Sequence, residues 1–222
     1  FASLGRKTRT DSLLEKGVKP ELLINKPTIY EAFEKEKVQC YVFQNISVSE
    51  SVYSMISTGA AKRISYRYLS DLISSLRKSI AAEEGPAFFY VYWSGIDSQG
   101  HEFSPNSEEY FLEAKIFFDS LQKEFLARLK KGKVSNTLFM MTSDHGQVPV
   151  DASKTIYLNH DEKLVEAFDI DRNGEKILPW GSPRDVFLAI KERKKEEIVF
   201  YLREAYGKYA LILKTEDAVK AK

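Results

Sequence analysis

Residues 85–107 read GPAFFYVYWSGIDSQGHEFSPNS, and the change of texture along this stretch decides the class of fold. The Gly85-Pro86 pair ends whatever precedes it. AFFYVYW, residues 87–93, is then a nearly continuous run of aromatic and β-branched side chains. That is the pattern of a strand covered on both faces, and such strands belong to parallel sheets with helices above and below. GIDSQGHEFSPNS, residues 95–107, is rich in Gly, Ser, Asp and Pro and reads as a loop leaving the strand's carboxyl end.

Working downstream, Ser107 can cap a helix over 107–131, with Glu108 and Glu109 in its first turn. Phe111, Ala114, Phe118, Leu121, Phe125 and Leu129 fall on one side of it, and Lys130, Lys131 and Gly132 end it. TLFMMT, residues 137–142, follows as a second buried strand. Working upstream, Leu69, Leu72, Ile73, Leu76 and Ile80 predict an amphipathic helix over 66–82. The Ser-rich stretch 46–65 reads as a loop, and before it come a helix near 28–36 and a strand near 38–43. Residues 1–27 read as a polar leading segment lying on the surface. This alternation of helix and strand is the sequence form of a doubly wound α/β sheet. Beyond Gly146 the texture changes: strand KTIYL, segment DEKLVEAFDI, a turn at 181–183, strand RDVFLAI, a charged helix over 192–206 and strand YALIL predict a small β-α-β unit over 180–215. The expected division is a core over 1–165 and a small inserted α/β subdomain over 166–222.

A chain of 222 residues suits one domain with an appended subdomain. With 43% hydrophobic residues, 14 Phe and 12 Tyr, it can fill a core. Thirty-three basic and 32 acidic residues nearly cancel, and no basic stripe is present, which argues against a nucleic-acid polymer as partner. KERKKEE at 191–197 mixes both signs, as a solvated helix face does. Cys40 is the only cysteine, so no internal disulfide forms, and a reducing, cytoplasmic setting is the expectation. No apolar run approaches the ~18–20 residues of a membrane span. FASLGRKTRT carries neither an initiator Met nor an apolar signal core, and the expectation is a central piece of a longer protein.

Functional groups in an open parallel sheet gather where strands end at their carboxyl side. After AFFYVYW come Asp97 and, four positions on, His101; after TLFMMT come Asp144 and His145. Two of three histidines thus stand near an aspartate just beyond a strand. Aspartate offers a hard anionic oxygen and imidazole a borderline nitrogen, a mixture that suits zinc and accepts manganese or iron. The glycines beside both histidines, Gly100 and Gly146, fit tight turns. A Ser-His-Asp triad of Ser143, His145 and Asp97 is the competing reading, weakened because no G-x-S-x-G elbow occurs. Trp93 and Tyr92 read as core at the base of the site, His160 as a polar-segment residue, and Gln147 and Thr142 as hydrogen-bonding support for the ligands.

YVYWSGIDSQGHEFSPNSEEY, followed by a helix and TLFMMTSDHGQVPVD, resembles the type I phosphodiesterase and nucleotide pyrophosphatase family of the alkaline phosphatase superfamily. Weaker similarity extends to TIYEAFEKEKVQCYVFQN upstream and to PRDVFLAI through ALILKTEDAV downstream. The resemblance implies an alkaline-phosphatase-like three-layer α/β/α core, incomplete here, with a small α/β insertion near the C-terminus. It implies a two-metal hydrolase, zinc first and manganese as the option, in which Asp97 and His101 help bind one ion and Asp144 and His145 the other. It implies a phosphate-ester or nucleotide-like small molecule as substrate. The family's nucleophile and an early Asp ligand are expected upstream of Phe1, and a further His ligand after the insertion, so these 222 residues alone are expected to be inactive. The alternatives are a phosphoglycerate-mutase-like phosphotransferase using manganese and a non-catalytic module that binds a phosphate ligand or a partner chain.

Overall fold

The computed structural model describes residues 17–19, 22, 24–129, 134–182 and 184–220. Most of the leading segment, and the Lys130–Gly132 helix stop, lie outside the described residues. The chain divides into two compact units, one ending at Val150 and the other beginning at Asp151.

In the first unit the order is helix α1 (Ile29–Lys35), strand β1 (Gln39–Asn45), short helices α2 (Ile46–Ser49) and α3 (Val52–Thr58), strand β2 (Lys62–Tyr66), helix α4 (Leu69–Ala82) and strand β3 (Ala87–Val91). Helices α5 (Gly95–Phe103) and α6 (Glu108–Ser120) follow. The sheet is parallel throughout with order β2-β1-β3, so the chain crosses from one edge to the other between β2 and β3. The register pairs Phe43 with Ile64 on one side and with Val91 on the other. Tyr92 N–H donates to Phe43 carbonyl oxygen at 3.0 Å, carrying the β1–β3 contact one step past β3.

Alternation along β1 builds two cores, one per face, as a strand's period of two requires. Cys40 and Val42 meet Tyr30, Ala61, Phe33 and Phe88 on the α1 face. Phe43 and Tyr41 meet Tyr66, Leu72, Leu76, Phe89 and Phe125 on the other. The result is helix, sheet, helix: the three layers expected of this α/β class. Helix α4 buries the stripe its periodicity predicts, Leu72 and Leu76 fully and Leu69, Ile73 and Ile80 in part. Helix α1 starts at a reciprocal cap in which Thr28 N–H donates to Glu31 Oε2 at 2.6 Å and Glu31 N–H to Thr28 Oγ1 at 3.3 Å.

Four expectations need correction. The Ser-rich stretch is not a loop: Ser51 caps α3 through the Ser54 N–H, and Ser54 and Thr58 spend their hydroxyls on the Val48 and Ser54 carbonyls, so serine here serves helix ends. Strand β3 is not covered on both faces; it lies at the sheet edge, with Tyr90 and Val91 exposed. TLFMMT forms no strand, and Leu138 and Met140 are 81% and 79% exposed, because apolarity supplies no ladder partner and none is present among the described residues. The long helix breaks phase: after α6 a single π-type turn, Leu121–Phe125, leads to a 3-10 turn, Leu126–Arg128. One extra residue per turn rotates the apolar stripe, so Phe111 and Phe118 are exposed while Phe117 stacks on Trp93 and Phe125 is buried.

The second unit packs helix α7 (Glu162–Ala167) against α8 (Lys195–Tyr206) through Leu164, Ala167, Phe168, Ile198 and Leu202. A short antiparallel hairpin of β4 (Trp180–Gly181) and β5 (Val186–Phe187) and a bridge from Phe168 to Ile190 supply its β structure; α9 (Thr215–Lys220) closes the chain. Gly181 turns the hairpin at φ +106°, where a Cβ would meet Asp185 carbonyl oxygen at 2.1 Å. The predicted β-α-β unit is therefore helix plus antiparallel pieces. RDVFLAI pairs backwards onto the segment after α7 and leaves YALIL unpaired, with Leu211 82% exposed; KTIYL lies between two 3-10 turns.

Candidate functional site

The residues that carry chemistry lie just beyond the carboxyl end of β3. Asp97 and His101 do not sit on a loop. They belong to α5, whose four-residue spacing places both on one face. His101 Nε2 is 3.4 Å from Asp97 Oδ1. Composition pointed to a loop because of Gly95 and Gly100, yet each glycine meets a tertiary neighbour: a Cβ at Gly95 would strike Glu113 Oε1 at 2.4 Å and the Trp93 ring at 2.6 Å. Packing outweighs the weak intrinsic helix propensity of glycine here.

Asp144 and His145 lie in the extended segment after residue 142. Asp144 Oδ1 accepts the His145 N–H at 3.1 Å, a local turn that aims the imidazole. His145 Nε2 then stands 3.9 Å from Asp97 Oδ1 and 3.9 Å from Asp144 Oδ2. Asp97 Oδ1 is thus the meeting point for His101 and His145, and Asp144 joins through His145. Gly146 has no left-handed φ and forms no turn, so its expected role in a tight turn is not seen. Gln147 Nε2 donates to Asp97 Oδ1 at 2.8 Å and to the Asp97 carbonyl at 3.1 Å, which joins the two segments. Thr142 makes only a local bond, to the Ser143 carbonyl at 3.3 Å.

The site is open: the His101 and Asp144 side chains are 75% and 66% exposed. Tyr92, expected at the base of the site, borders it, and so does Tyr90, which its apolar setting in the sequence hid. Burial first, and then the negative charge of Asp144, pushes both phenol pKa values up; Asp97 adds to the effect at Tyr92. Trp93 is part of the core, stacked between Tyr66 and Phe117. His160 stacks on Tyr157 in the second unit, at a ring separation of 5.5 Å.

The triad reading fails on geometry. Ser143 makes no hydrogen bond to His145, whose Nδ1 instead lies 3.1 Å from Gly146 carbonyl oxygen. The donor types, two carboxylates and two imidazoles, are those a divalent cation takes, and no cationic side chain among the described residues is paired to any of them. Donors on a tetrahedral ion with bonds of about 2.0–2.1 Å stand about 3.3 Å apart. The Asp97–His101 pair has nearly that spacing, and His145 stands about half an ångström further out. No three such groups among the described residues yet surround one point.

The family model for type I phosphodiesterase / nucleotide pyrophosphatase matches residues 5–221. The chain belongs to this family. Neither curated proteins nor solved structures give a significant match. A type I phosphodiesterase/nucleotide pyrophosphatase is a phosphoric-ester hydrolase by family, and the parallel α/β layers described above agree with an alkaline-phosphatase-like fold. No helix among the described residues of this phosphodiesterase-family chain is long and apolar enough to cross a membrane.

Proposed function

We propose that the intact protein hydrolyses a phosphoric ester of a small, nucleotide-like molecule with two divalent cations, Asp97 and His101 holding one and Asp144 and His145 the other. The observation that carries this reading is the approach of His101 and His145, from segments forty-odd positions apart in the chain, to the single carboxylate oxygen Asp97 Oδ1. When bound, such ions polarise phosphoryl oxygens and lower the pKa of an attacking hydroxyl or water. The residues of this chain supply the rest. Two carboxylates beside two imidazoles form an acidic, open surface that concentrates cations. Helix α5 fixes Asp97 and His101 relative to each other, and its exposed face leaves room for a substrate. Zinc is favoured by imidazole donors; manganese is the alternative.

The test is turnover of a chromogenic phosphodiester by the intact protein. Asp97→Ala and His145→Ala should each lower it by at least ~10³-fold, chelation should abolish it, and added zinc or manganese should restore it. Full turnover in either variant, or after chelation, sinks the reading. Zinc binding without turnover would instead make the chain a phosphate-ligand module, and phosphoryl transfer between sugar acids with manganese would make it a phosphotransferase.

A further inference from the structure

Gln147 is half-buried in a segment whose neighbours, residues 143–146 and 148–150, are all exposed. Its amide nitrogen has two hydrogens, and the structure gives both a partner on one residue: Asp97 Oδ1 at 2.8 Å and the Asp97 carbonyl at 3.1 Å. A side chain gripped at its backbone and its carboxylate by the same donor has little torsional freedom left. None of these contacts, nor those of His101 and His145, uses Asp97 Oδ2.

The seat for this amide is Gly100. It is buried on α5 three positions beyond Asp97, and a Cβ there would lie 1.8 Å from Gln147 Oε1, 2.7 Å from Cδ and 3.0 Å from Nε2. No side chain larger than hydrogen leaves the amide in place. The chemistry of the residue fits as well. Glutamate at 147 would add a third negative charge and repel Asp97, and lysine would repel a cation; a neutral donor restrains a carboxylate without changing the charge of the site.

We propose that Gln147, seated on Gly100, is a positioning residue that presents Asp97 to the cation and locks the Asp144–His145 segment against α5. This rests on the reading of Asp97 as a metal ligand. Hydrogen-bonding partners behind metal ligands commonly contribute about 10–100-fold in metal affinity.

The experiment is zinc titration of the intact, metal-free protein against a chromogenic chelator, with melting of the metal-free proteins measured alongside. Asp97→Asn tests the underlying reading. Gln147→Met keeps length and volume but removes the donor, and Gly100→Ala displaces the amide without altering it. Both are expected to weaken zinc binding about 10–100-fold with metal-free melting unchanged. Because both remove one contact, the double variant should be no weaker than the worse single, whereas two independent structural defects would add. Wild-type affinity in Gln147→Met beside a weakened Asp97→Asn overturns the role of Gln147 and leaves the metal reading standing; additive losses overturn the interlock. Wild-type affinity in Asp97→Asn removes the metal reading itself. If Gln147→Met melts early, Gln147→Asn, which keeps the amide but shortens its reach, takes its place with the same expectation.

Discussion

Asp161, in the second unit, accepts from Leu164 N–H at 3.1 Å through Oδ1 and from the Tyr201 and Tyr206 hydroxyls at 2.8 and 2.6 Å through Oδ2. Burial works against its charge, but these donors win and hold its pKa below the usual carboxylate range. The stability it contributes is therefore complete above the unfolded value of about 3.9 and is lost as pH falls through the lower folded value. Asp161→Asn should melt below wild type at pH 7, and the gap should narrow as the pH falls below the unfolded value of about 3.9. A constant gap in calorimetry across that range would show that charge is not what matters. At this scale the sequence was legible where a side chain is rare and chemically loaded. With three histidines in the chain, the pairing of His101 and His145 with aspartates stood out, and the structure places both imidazoles within 3.4 and 3.9 Å of Asp97 Oδ1. Gly100 was read as a turn glycine because spacing says nothing about what packs on a helix from fifty residues away. Tyr90 gives no sign of the site in the sequence because the charge of Asp144 reaches it only through the fold.

Among the elements, the helix start at Ser107 follows local chemistry and was readable, whereas the serine caps within 46–65 were not. Ser107 caps α6, its Oγ accepting the Tyr110 N–H at 3.2 Å, so Ser107→Ala should cost ~1 kcal/mol in urea denaturation, within a range of about 0.5–2. Thr28→Ala should cost about as much, since it removes the Oγ1 that accepts the Glu31 N–H while leaving the backbone N–H that donates to Glu31 Oε2. Helix α4 was legible because its period, its length and its burial all agree. Where the chain departs from one period, the pattern misleads. The π-type turn at Leu121–Phe125 shifts the stripe, so a count at regular spacing that ends on buried Phe125 begins on exposed Phe111 and Phe118. A strand is harder still, because its hydrogen bonds belong to another segment. The run 87–93 found β1 as a partner and became β3, while 137–142, equally apolar, found none among the described residues.

For the whole molecule, the three-layer α/β class followed from the order of elements, and the family match agrees with it. The C-terminal unit was less legible: its short strands pair antiparallel, and nothing in a run of four or five apolar residues tells direction. Each unit has its own core, and the two are expected to unfold separately. Phe168 is fully buried, so Phe168→Ala should cost about 3–5 kcal/mol in the second unit. Hydrogen exchange should then speed up at Leu164–Phe168 and Ile198–Leu202 while the Val42 and Phe43 amides keep their protection. Phe43→Ala should give the reverse pattern.

Strand β3 has one more outcome in store. It bonds to β1 on one side and to no strand among the described residues on the other, and beyond it the chain displays Leu138, Phe139, Met140 and Met141 to water. A ladder edge unpaired among the described residues, in a chain that also exposes an uncharged apolar run, is a template for accretion of further copies. Concentrated solutions of this polypeptide should cloud by sheet extension, and a gatekeeping cation at Met140→Lys should keep them clear, as light scattering over time would record.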